Sequence, residues 1–179
     1  MYYYIHGYLS SPDSTKGSIL NQSLGVESIE YRDCEPEYLV ISDCLKRINE
    51  AIKDDPDPIL IGSSLGGFLT AKIALENLNI KKIVLFNPAI IPIDYDISKI
   101  FDMPQRILSD MKEPRFFSEK INAKILILMG TRDDVVPNSW VKSFAKSQDA
   151  EIIELEDDHS LSENVNKIPD IIKDFLKKD

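Results

Sequence analysis

Three small residues around a serine give the chain its clearest chemical signal. Gly62, Ser64 and Gly66 fit the pattern G-x-S-x-G, and they follow the apolar run 59–61, which is short enough for a buried strand. In a nucleophile elbow, such a serine lies at the tip of a sharp turn from strand to helix, and the flanking glycines allow close packing. The pattern therefore predicts that Ser64 attacks a carbonyl group. An ordinary Gly/Ser-rich turn is the alternative interpretation.

A serine hydroxyl is a weak nucleophile at neutral pH, so it needs a neighbouring base and a carboxylate that orients the base. The chain contains two histidines, His6 and His159. His159 follows the last predicted strand, over 150–155, and we interpret it as the general base. His6 follows the first predicted strand, over 2–5, and we interpret it as a structural residue.

The candidate carboxylates lie after the strand predicted over 123–129 and beside the second histidine. The spacing G-x-x-D favours Asp133 over its neighbour Asp134 as the orienting carboxylate. We interpret Asp157 and Asp158 either as solvated charges or as groups that favour the protonated histidine. The three catalytic types therefore occur in the order Ser, Asp, His, which is the order of one α/β architecture.

The elements that must position these residues alternate along the chain. Strands are predicted over 2–5, 26–31, 59–61, 81–86, 123–129 and 150–155, and helices over 18–24, 36–52, 68–78, 138–147 and 165–178. This alternation is typical of a mostly parallel sheet with helices on both faces. We therefore predict a three-layer α/β/α sandwich of about six strands, with the site residues at the carboxyl ends of the strands.

The length of the chain suits one compact core, so a single domain over residues 1–179 is predicted. Prolines interrupt the pattern between 88 and 120, and we expect short helices there that form a small cap. The apolar residues of this cap either line an acyl pocket or form its own packing core: Ile90, Ile91, Ile93, Ile100, Phe101, Phe116 and Phe117. Trp140 and Phe144 are interpreted as core residues.

Composition excludes several classes of function. The net charge of -9 and the pI of about 4.8 argue against a nucleic-acid-binding surface. Neither a signal peptide nor an apolar run of membrane-spanning length is visible, so a cytoplasmic protein is predicted.

Cys34 and Cys44 could pair, but two free thiols are expected in that compartment. Two histidines and two dispersed cysteines do not form a usual zinc site, although carboxylates leave calcium open, and no cofactor or metal is predicted.

Four segments together resemble the α/β-hydrolase superfamily: 4–12 (YIHGYLSSP), 62–67 (GSSLGG), 130–137 (GTRDDVVP) and 158–159 (DH). The first two resemble, more specifically, the small bacterial YqiA-like esterases. The motifs extend from one end of the chain to the other. The resemblance implies the α/β-hydrolase fold, without the usual leading antiparallel hairpin, and hydrolysis of esters or thioesters through an acyl-serine.

By position, the resemblance implies that Ser64 is the nucleophile, His159 the base and Asp133 the orienting carboxylate. The backbone N–H groups of Tyr8 and Leu65 would form the oxyanion hole. We expect a small acyl ester with a short or medium chain as the substrate. Two alternatives stay open, which are related carbonyl or C–C bond chemistry on the same triad and a non-catalytic binding protein that keeps the fold.

Overall fold

A computed structural model describes residues 1–178 of the chain and contains a six-stranded sheet in which every pair of neighbouring strands is parallel. The strands are β1 (Tyr2–Ile5), β2 (Glu27–Ser28), β3 (Ile59–Ser63), β4 (Lys82–Phe86), β5 (Lys124–Gly130) and β6 (Glu151–Leu155). They lie in the order β2-β1-β3-β4-β5-β6. The predicted parallel sheet of about six strands is confirmed.

Helices cover both faces of this sheet. They are α1 (Thr15–Leu24), α2 (Ile41–Ile52), α3 (Leu65–Glu76), α4 (Gln105–Asp110), α5 (Asn138–Gln148) and α6 (Ile168–Leu176). The apolar residues of α1 and α6 pack on one face of the sheet, and those of α2, α3 and α5 pack on the other. The central strands are therefore buried on both sides, which explains their nearly continuous apolar sequences.

The second strand is much shorter than the predicted range 26–31, because just two of its residues pair with β1. This strand lies at the edge of the sheet, so no outer neighbour holds its backbone extended. The amide of Ile29 still donates to the carbonyl of Tyr4 at 2.9 Å. The chain then leaves the sheet, and the ring of Tyr31 stacks on His6 with 4.4 Å between centroids.

Four helices begin at different residues from those predicted. Helix α1 begins at Thr15 instead of 18 and α6 at Ile168 instead of 165, and the differences at α2 and α3 have visible causes. Pro36 starts a separate 3-10 helix, Pro36–Tyr38, and α2 begins at Ile41 because the two intervening residues have extended backbone angles. Helix α3 begins at Leu65, directly after the candidate nucleophile, rather than at 68. Two glycines in its first turn lower the intrinsic helix propensity, and tertiary packing overrides this local preference.

The region between 88 and 120 contains α4 and two 3-10 helices, Ile97–Lys99 and Pro114–Phe117. The ring of Phe116 is buried and packs edge to face against two other rings. Its centroid lies 5.9 Å from that of Phe68 and 5.5 Å from that of Phe144. This segment is thus fixed to α3 and α5 through the main core. Its description as a cap within a single domain stays a prediction.

Both cysteines are free thiols, as expected, with Cys34 exposed and Cys44 buried. Burial raises the pKa of the Cys44 thiol to about 11, so this group is protonated near neutral pH. None of the helices within residues 1–178 is long and apolar enough to cross a bilayer.

Among the glycines, the closest approach of neighbouring backbone lies where α3 packs on β1 and β3. A Cβ atom on Gly66 would lie 2.0 Å from the carbonyl oxygen of Ile5, and one on Gly62 would lie 2.3 Å from the carbonyl oxygen of Gly66. Such distances are far below van der Waals contact and involve backbone atoms that cannot rotate away. Both glycines of the G-x-S-x-G pattern are therefore required sterically, because a larger residue at either position would clash with backbone atoms.

We expect Gly66→Ala to lower the free energy of unfolding by about 3 kcal/mol or to prevent folding, because the clash forces α3 away from the sheet. Urea denaturation measures this change. Gly25→Ala is the control, since no atom of the described residues lies within 4 Å of the added Cβ. The substitution is unfavourable only because the backbone of residue 25 has a positive φ of 66°. That strain costs about 1 kcal/mol. Equal losses in the two variants would contradict the explanation.

Candidate active site

Ser64 occupies a strained turn between β3 and α3. Its φ of 54° and ψ of -117° are rare for a residue with a side chain, and such strain costs about 1–3 kcal/mol. Several hydrogen bonds hold this conformation: the Ser64 amide donates to the Phe86 carbonyl at 2.9 Å, and its carbonyl accepts from the amides of Gly67, Phe68 and Ala89. The Ser64 backbone is therefore fixed from both β4 and α3.

Two backbone amides near the serine have no hydrogen-bond acceptor among the described residues, and they are those predicted to form the oxyanion hole. Within residues 1–178, neither the Tyr8 amide nor the Leu65 amide donates a hydrogen bond. Leu65 is the first residue of α3, where helical N–H groups are unpaired and the helix dipole favours negative charge. The loop that carries Tyr8 is fixed by Arg32, whose guanidinium donates to the Tyr8 carbonyl at 2.6 Å and to the Ser10 carbonyl at 2.8 Å.

His159 and Asp133 form a direct pair. The histidine Nδ1 lies 2.8 Å from Oδ2 and 3.0 Å from Oδ1 of Asp133, whose side chain is fully buried. The same carboxylate accepts from the amides of Val135 and Val136, both at 2.9 Å, which fix its orientation. Asp134, the alternative carboxylate, is exposed. The geometry is thus consistent with the sequence preference for Asp133.

The loop that carries His159 is attached to the ends of β4 and β5. The buried side chain of Asn87 donates to the carbonyls of His159 at 2.8 Å and Asp158 at 3.3 Å, and it accepts from the Gly130 amide at 2.8 Å. A Cβ on Gly130 would lie 2.4 Å from the Asp158 carbonyl oxygen. One buried amide and one glycine therefore set the distance between this loop and the sheet.

The interpretation of Asp157 as a solvated charge is wrong, because its side chain is completely buried. Its carboxylate accepts from the amides of Asp158, Glu163 and Asn164 and from the Asn164 side chain at 2.8–3.2 Å. Burial alone would raise the pKa of Asp157, but these hydrogen bonds outweigh it and lower the pKa below its ordinary value. Asp157 thus folds the loop that follows β6.

His6 has a structural environment, as expected. It is buried, its Nδ1 lies 2.9 Å from the Gly7 carbonyl oxygen, and burial lowers its pKa to about 4. The ring is therefore neutral near pH 7, and Nδ1–H donates to this carbonyl. Together with Tyr31, whose hydroxyl also donates to the Gly7 carbonyl at 3.3 Å, it holds the turn that presents the Tyr8 amide.

Ser64 and His159 line the same cavity of about 350 Å³. The part of the chain that the structure describes contains the His159–Asp133 contact and no hydrogen bond between the Ser64 hydroxyl and the histidine. The catalytic triad stays a prediction. Catalytic hydrogen bonds are often long in unliganded enzymes and tighten when substrate binds.

One wall of the cavity is apolar. It includes Ile91 and Ile100 from the predicted cap, together with Met103, Leu108, Met111 and Trp140. Of the other cap residues considered, Ile90 and Phe116 belong to the core, whereas Ile93 and Phe101 are exposed. Some of the predicted cap residues therefore line the cavity and others pack in the core, and Trp140 does both. That the cavity binds an acyl group stays a prediction.

Sequence reasoning missed four residues that support the site. Asn87 follows the buried strand β4 directly, so its position at a strand end was the available signal. Arg32 acts on the loop after β1, and the Nζ of Lys16 donates to the distant Ser160 carbonyl at 2.7 Å, so neither contact can be read from a local pattern. Asp157 accepts from the amides of its own loop, but an aspartate in an acidic segment is usually solvated, so its burial has no local signal either. Among the described residues, no cluster of three or more His, Cys, Asp or Glu side chains is arranged to hold a metal ion.

The parallel sheet, the strained serine turn and the His–Asp pair at the strand ends define an α/β-hydrolase fold, in agreement with the resemblance of the sequence. The chain matches the model of the family described as "Uncharacterised protein family (UPF0227)" over residues 1–177, and it belongs to that family. It is 30% identical to a UPF0227 protein of Shewanella woodyi over 148 residues, which are 79% of this chain and 80% of the relative.

Solved structures share the fold at low sequence identity. Est1E from Butyrivibrio proteoclasticus, with ferulic acid bound, is 17% identical with a TM-score of 0.79, and the match covers 98% of this chain and 87% of Est1E. A monoacylglycerol lipase from Paleococcus ferrophilus is also 17% identical, with a TM-score of 0.77 and coverage of 98% and 93%. These similarities establish the fold.

We expect Asp157→Asn to lower the free energy of unfolding by about 2–3 kcal/mol at pH 7, because an amide N–H would face backbone donors. Folding lowers the Asp157 pKa, so the carboxylate stabilises the fold above its unfolded-state pKa of about 4. This contribution is lost as the pH falls through the folded-state pKa. The difference from wild type should therefore shrink below about pH 4.

Urea denaturation at several pH values measures this difference. Asp170→Asn is the matched control, since the Asp170 side chain is 81% exposed on α6. It should change stability by less than about 0.5 kcal/mol. A loss for Asp157→Asn that does not vary with pH would contradict the assignment of a charged carboxylate.

Proposed function

We propose that the protein is a serine hydrolase that cleaves carboxylic ester or thioester bonds through an acyl-enzyme. The observation that carries the proposal is the buried Asp133 carboxylate 2.8 Å from His159 Nδ1, in a cavity that Ser64 also lines. An imidazole held in this way keeps its proton on Nδ1 and leaves Nε2 as a proton acceptor. A serine on a strained turn beside it is suited to nucleophilic attack.

In the proposed reaction, Ser64 Oγ attacks the acyl carbon while His159 accepts the hydroxyl proton. The tetrahedral intermediate collapses, the proton passes to the departing alcohol or thiol, and an acyl-serine remains. Water then attacks this ester with His159 again as the base, and the acid leaves. Asp133 keeps its charge throughout and stabilises the imidazolium that forms transiently.

The free amides of Tyr8 and Leu65 support the proposed oxyanion hole. Removal of one such donor typically costs about 3 kcal/mol of transition-state stabilisation. A backbone donor cannot rotate away, and in this protein the loop of Tyr8 is held by Arg32 and His6. Both donors would therefore be preorganised before substrate binds.

The size and lining of the cavity favour a small apolar acyl group. A volume of about 350 Å³ is near the lower end of ligand pockets, and one wall consists of aliphatic, methionine and tryptophan side chains. The structural neighbours that are an esterase and a monoacylglycerol lipase agree with ester chemistry on this fold. We propose short or medium acyl esters as the substrate class.

We expect a fluorophosphonate probe to label the wild-type protein at Ser64, because the probe phosphorylates serines that an adjacent base activates. Mass spectrometry of the peptides locates the adduct. Ser64→Ala should lose both the labelling and the hydrolysis of 4-nitrophenyl butyrate. Ser143→Ala, at an exposed position of α5, is the control and should keep both, and labelling that survives in Ser64→Ala would contradict the proposal.

The choice of carboxylate is tested with Asp133→Asn and Asp134→Asn. Asp133→Asn should lower kcat by about 10³–10⁴-fold, because the amide favours the wrong imidazole tautomer. Asp134 is exposed, so its replacement should change kcat by less than about threefold. Steady-state kinetics on 4-nitrophenyl butyrate measure both effects, and a larger loss in Asp134→Asn would reverse the assignment.

A further inference from the structure

The wall of the cavity on the α1 side is polar. It includes the side chains of Tyr4, Ser10, Lys16, Ser63 and Ser160, whereas the apolar wall described above comes from the region after β4 and from α5. Ser64 and His159 line the same cavity. A bound molecule that fills it would therefore contact polar and apolar walls as well as the candidate catalytic residues.

Lys16 is the positive charge of this polar wall. It lies in the first turn of α1, and its Nζ donates to the carbonyl of Ser160 at 2.7 Å. No carboxylate of residues 1–178 lies within 4.0 Å of this ammonium group, which distinguishes it from the paired lysines of the surface. Burial lowers the pKa of Lys16 to about 8, although the charges of Asp158, Asp157 and Asp133 oppose this effect.

Tyr4 supplies a second, independent observation. Its side chain is completely buried, and no described residue lies within hydrogen-bonding geometry of its hydroxyl, although the hydroxyls of Ser14 and Ser63 are near enough to affect its pKa. Burial raises the pKa of this phenol to about 12, partly offset by the nearby hydroxyls of Ser14 and Ser63, so it remains a neutral donor. A buried hydroxyl without a partner is costly, and Tyr4 is one of the residues that line the cavity shared with Lys16.

We propose that Lys16 and Tyr4, together with the Ser63 hydroxyl, form a subsite that binds an anionic group of the ester substrate, such as a free carboxylate. This inference rests on the proposed ester hydrolysis and specifies its substrate class. A carboxylate would pair with the ammonium group and accept the unused Tyr4 hydroxyl proton. The remaining part of the substrate would contact the apolar wall.

The preferred substrate is therefore an ester with an apolar portion on one side of the scissile bond and an anionic group on the other. Hydrogen bonds to charged groups are about twice as strong as neutral ones, so the anion contributes selectivity as well as affinity. A neutral ester of the same length would leave Lys16 and Tyr4 without this partner. Discrimination against it should be large for this reason.

A purely structural role for Lys16 makes a different prediction. If the ammonium group only fixes Ser160 and the His159 loop, its loss would slow charged and neutral esters equally. If it binds the anion, its loss would remove the preference for the charged ester. The ratio of kcat/KM for the two esters separates these roles, whatever happens to the absolute rates.

The experiment uses esters that differ in a carboxylate. On the acyl side, mono-4-nitrophenyl glutarate is compared with 4-nitrophenyl pentanoate, and on the alcohol side, the butyrate ester of glycolate is compared with propyl butyrate by titration of released acid. We expect wild-type protein to prefer the charged ester by about tenfold or more in kcat/KM on one of the two sides. The side that shows the preference identifies the portion that the subsite binds.

Variants test the named residues. Lys16→Met should abolish the preference, Lys16→Arg should retain part of it, and Tyr4→Phe should lower it about threefold or more. Lys177→Met is the control, since the Lys177 side chain is 74% exposed after α6, and it should keep the wild-type ratio.

Hydrolysis of neutral esters without a charged-ester preference on either side would overturn the subsite and leave the proposed hydrolase intact. A preference that persists in Lys16→Met would also overturn it. Failure of wild-type protein to hydrolyse any of the four esters or to react with the fluorophosphonate would instead refute the proposed function, and the subsite with it.

Discussion

The close approach of α3 to the carboxyl end of β1 is the contact on which the geometry of the site depends. It is possible because Gly62 and Gly66 have no Cβ atoms where the helix meets the strand backbone. A helix that begins so near the sheet leaves no room for a gradual turn. The chain therefore changes direction between β3 and α3 at Ser64 alone, which has a positive φ. The same arrangement leaves the Leu65 amide unpaired beside the serine. Steric fit, backbone strain and a free hydrogen-bond donor are therefore consequences of a single packing contact.

The candidate base depends on a different kind of interaction, because its loop follows a strand at the edge of the sheet. Apolar packing alone would not fix such a loop, and buried polar groups do so instead. The Asn87 side chain makes three hydrogen bonds between this loop and β5, while Asp157 accepts from four donors within the loop itself. Fully satisfied polar networks define one geometry, since any alternative leaves a buried group unpaired. This rigidity holds His159 against Asp133 before a substrate arrives.

Much of the fold and part of the site could be predicted from the sequence, for identifiable reasons. Buried parallel strands produce apolar runs, and residues at their ends share one edge of the sheet, so the positions of Ser64 and Asp133 followed from local patterns. The length of β2 and the first residue of α3 did not, because neighbouring segments decide them. Lys16 and Asp157 carry no local signal, since a lysine in a first helical turn and an aspartate in an acidic loop are usually solvated. The Lys16 ammonium group donates to a carbonyl 144 residues away, which only the folded chain brings close. Asp157 is buried by the folding of its own loop, whose amides donate to its carboxylate.

The two histidines show how environment separates residues of the same type into different roles. Each ring has Nδ1 against an oxygen acceptor, so each keeps its proton on that atom. For His6 the acceptor is a neutral carbonyl, and Nε2 is buried without a partner among residues 1–178. Burial lowers the pKa of His6 to about 4, so the ring does not accept a second proton near pH 7. For His159 the acceptor is a carboxylate, and a fifth of the side chain remains exposed in the cavity. A general base needs both a charge that stabilises its protonated form and an open nitrogen that the substrate can reach. Of the two, His159 alone has them, and His6 instead holds the loop that carries the Tyr8 amide, one of the two donors proposed for the oxyanion hole.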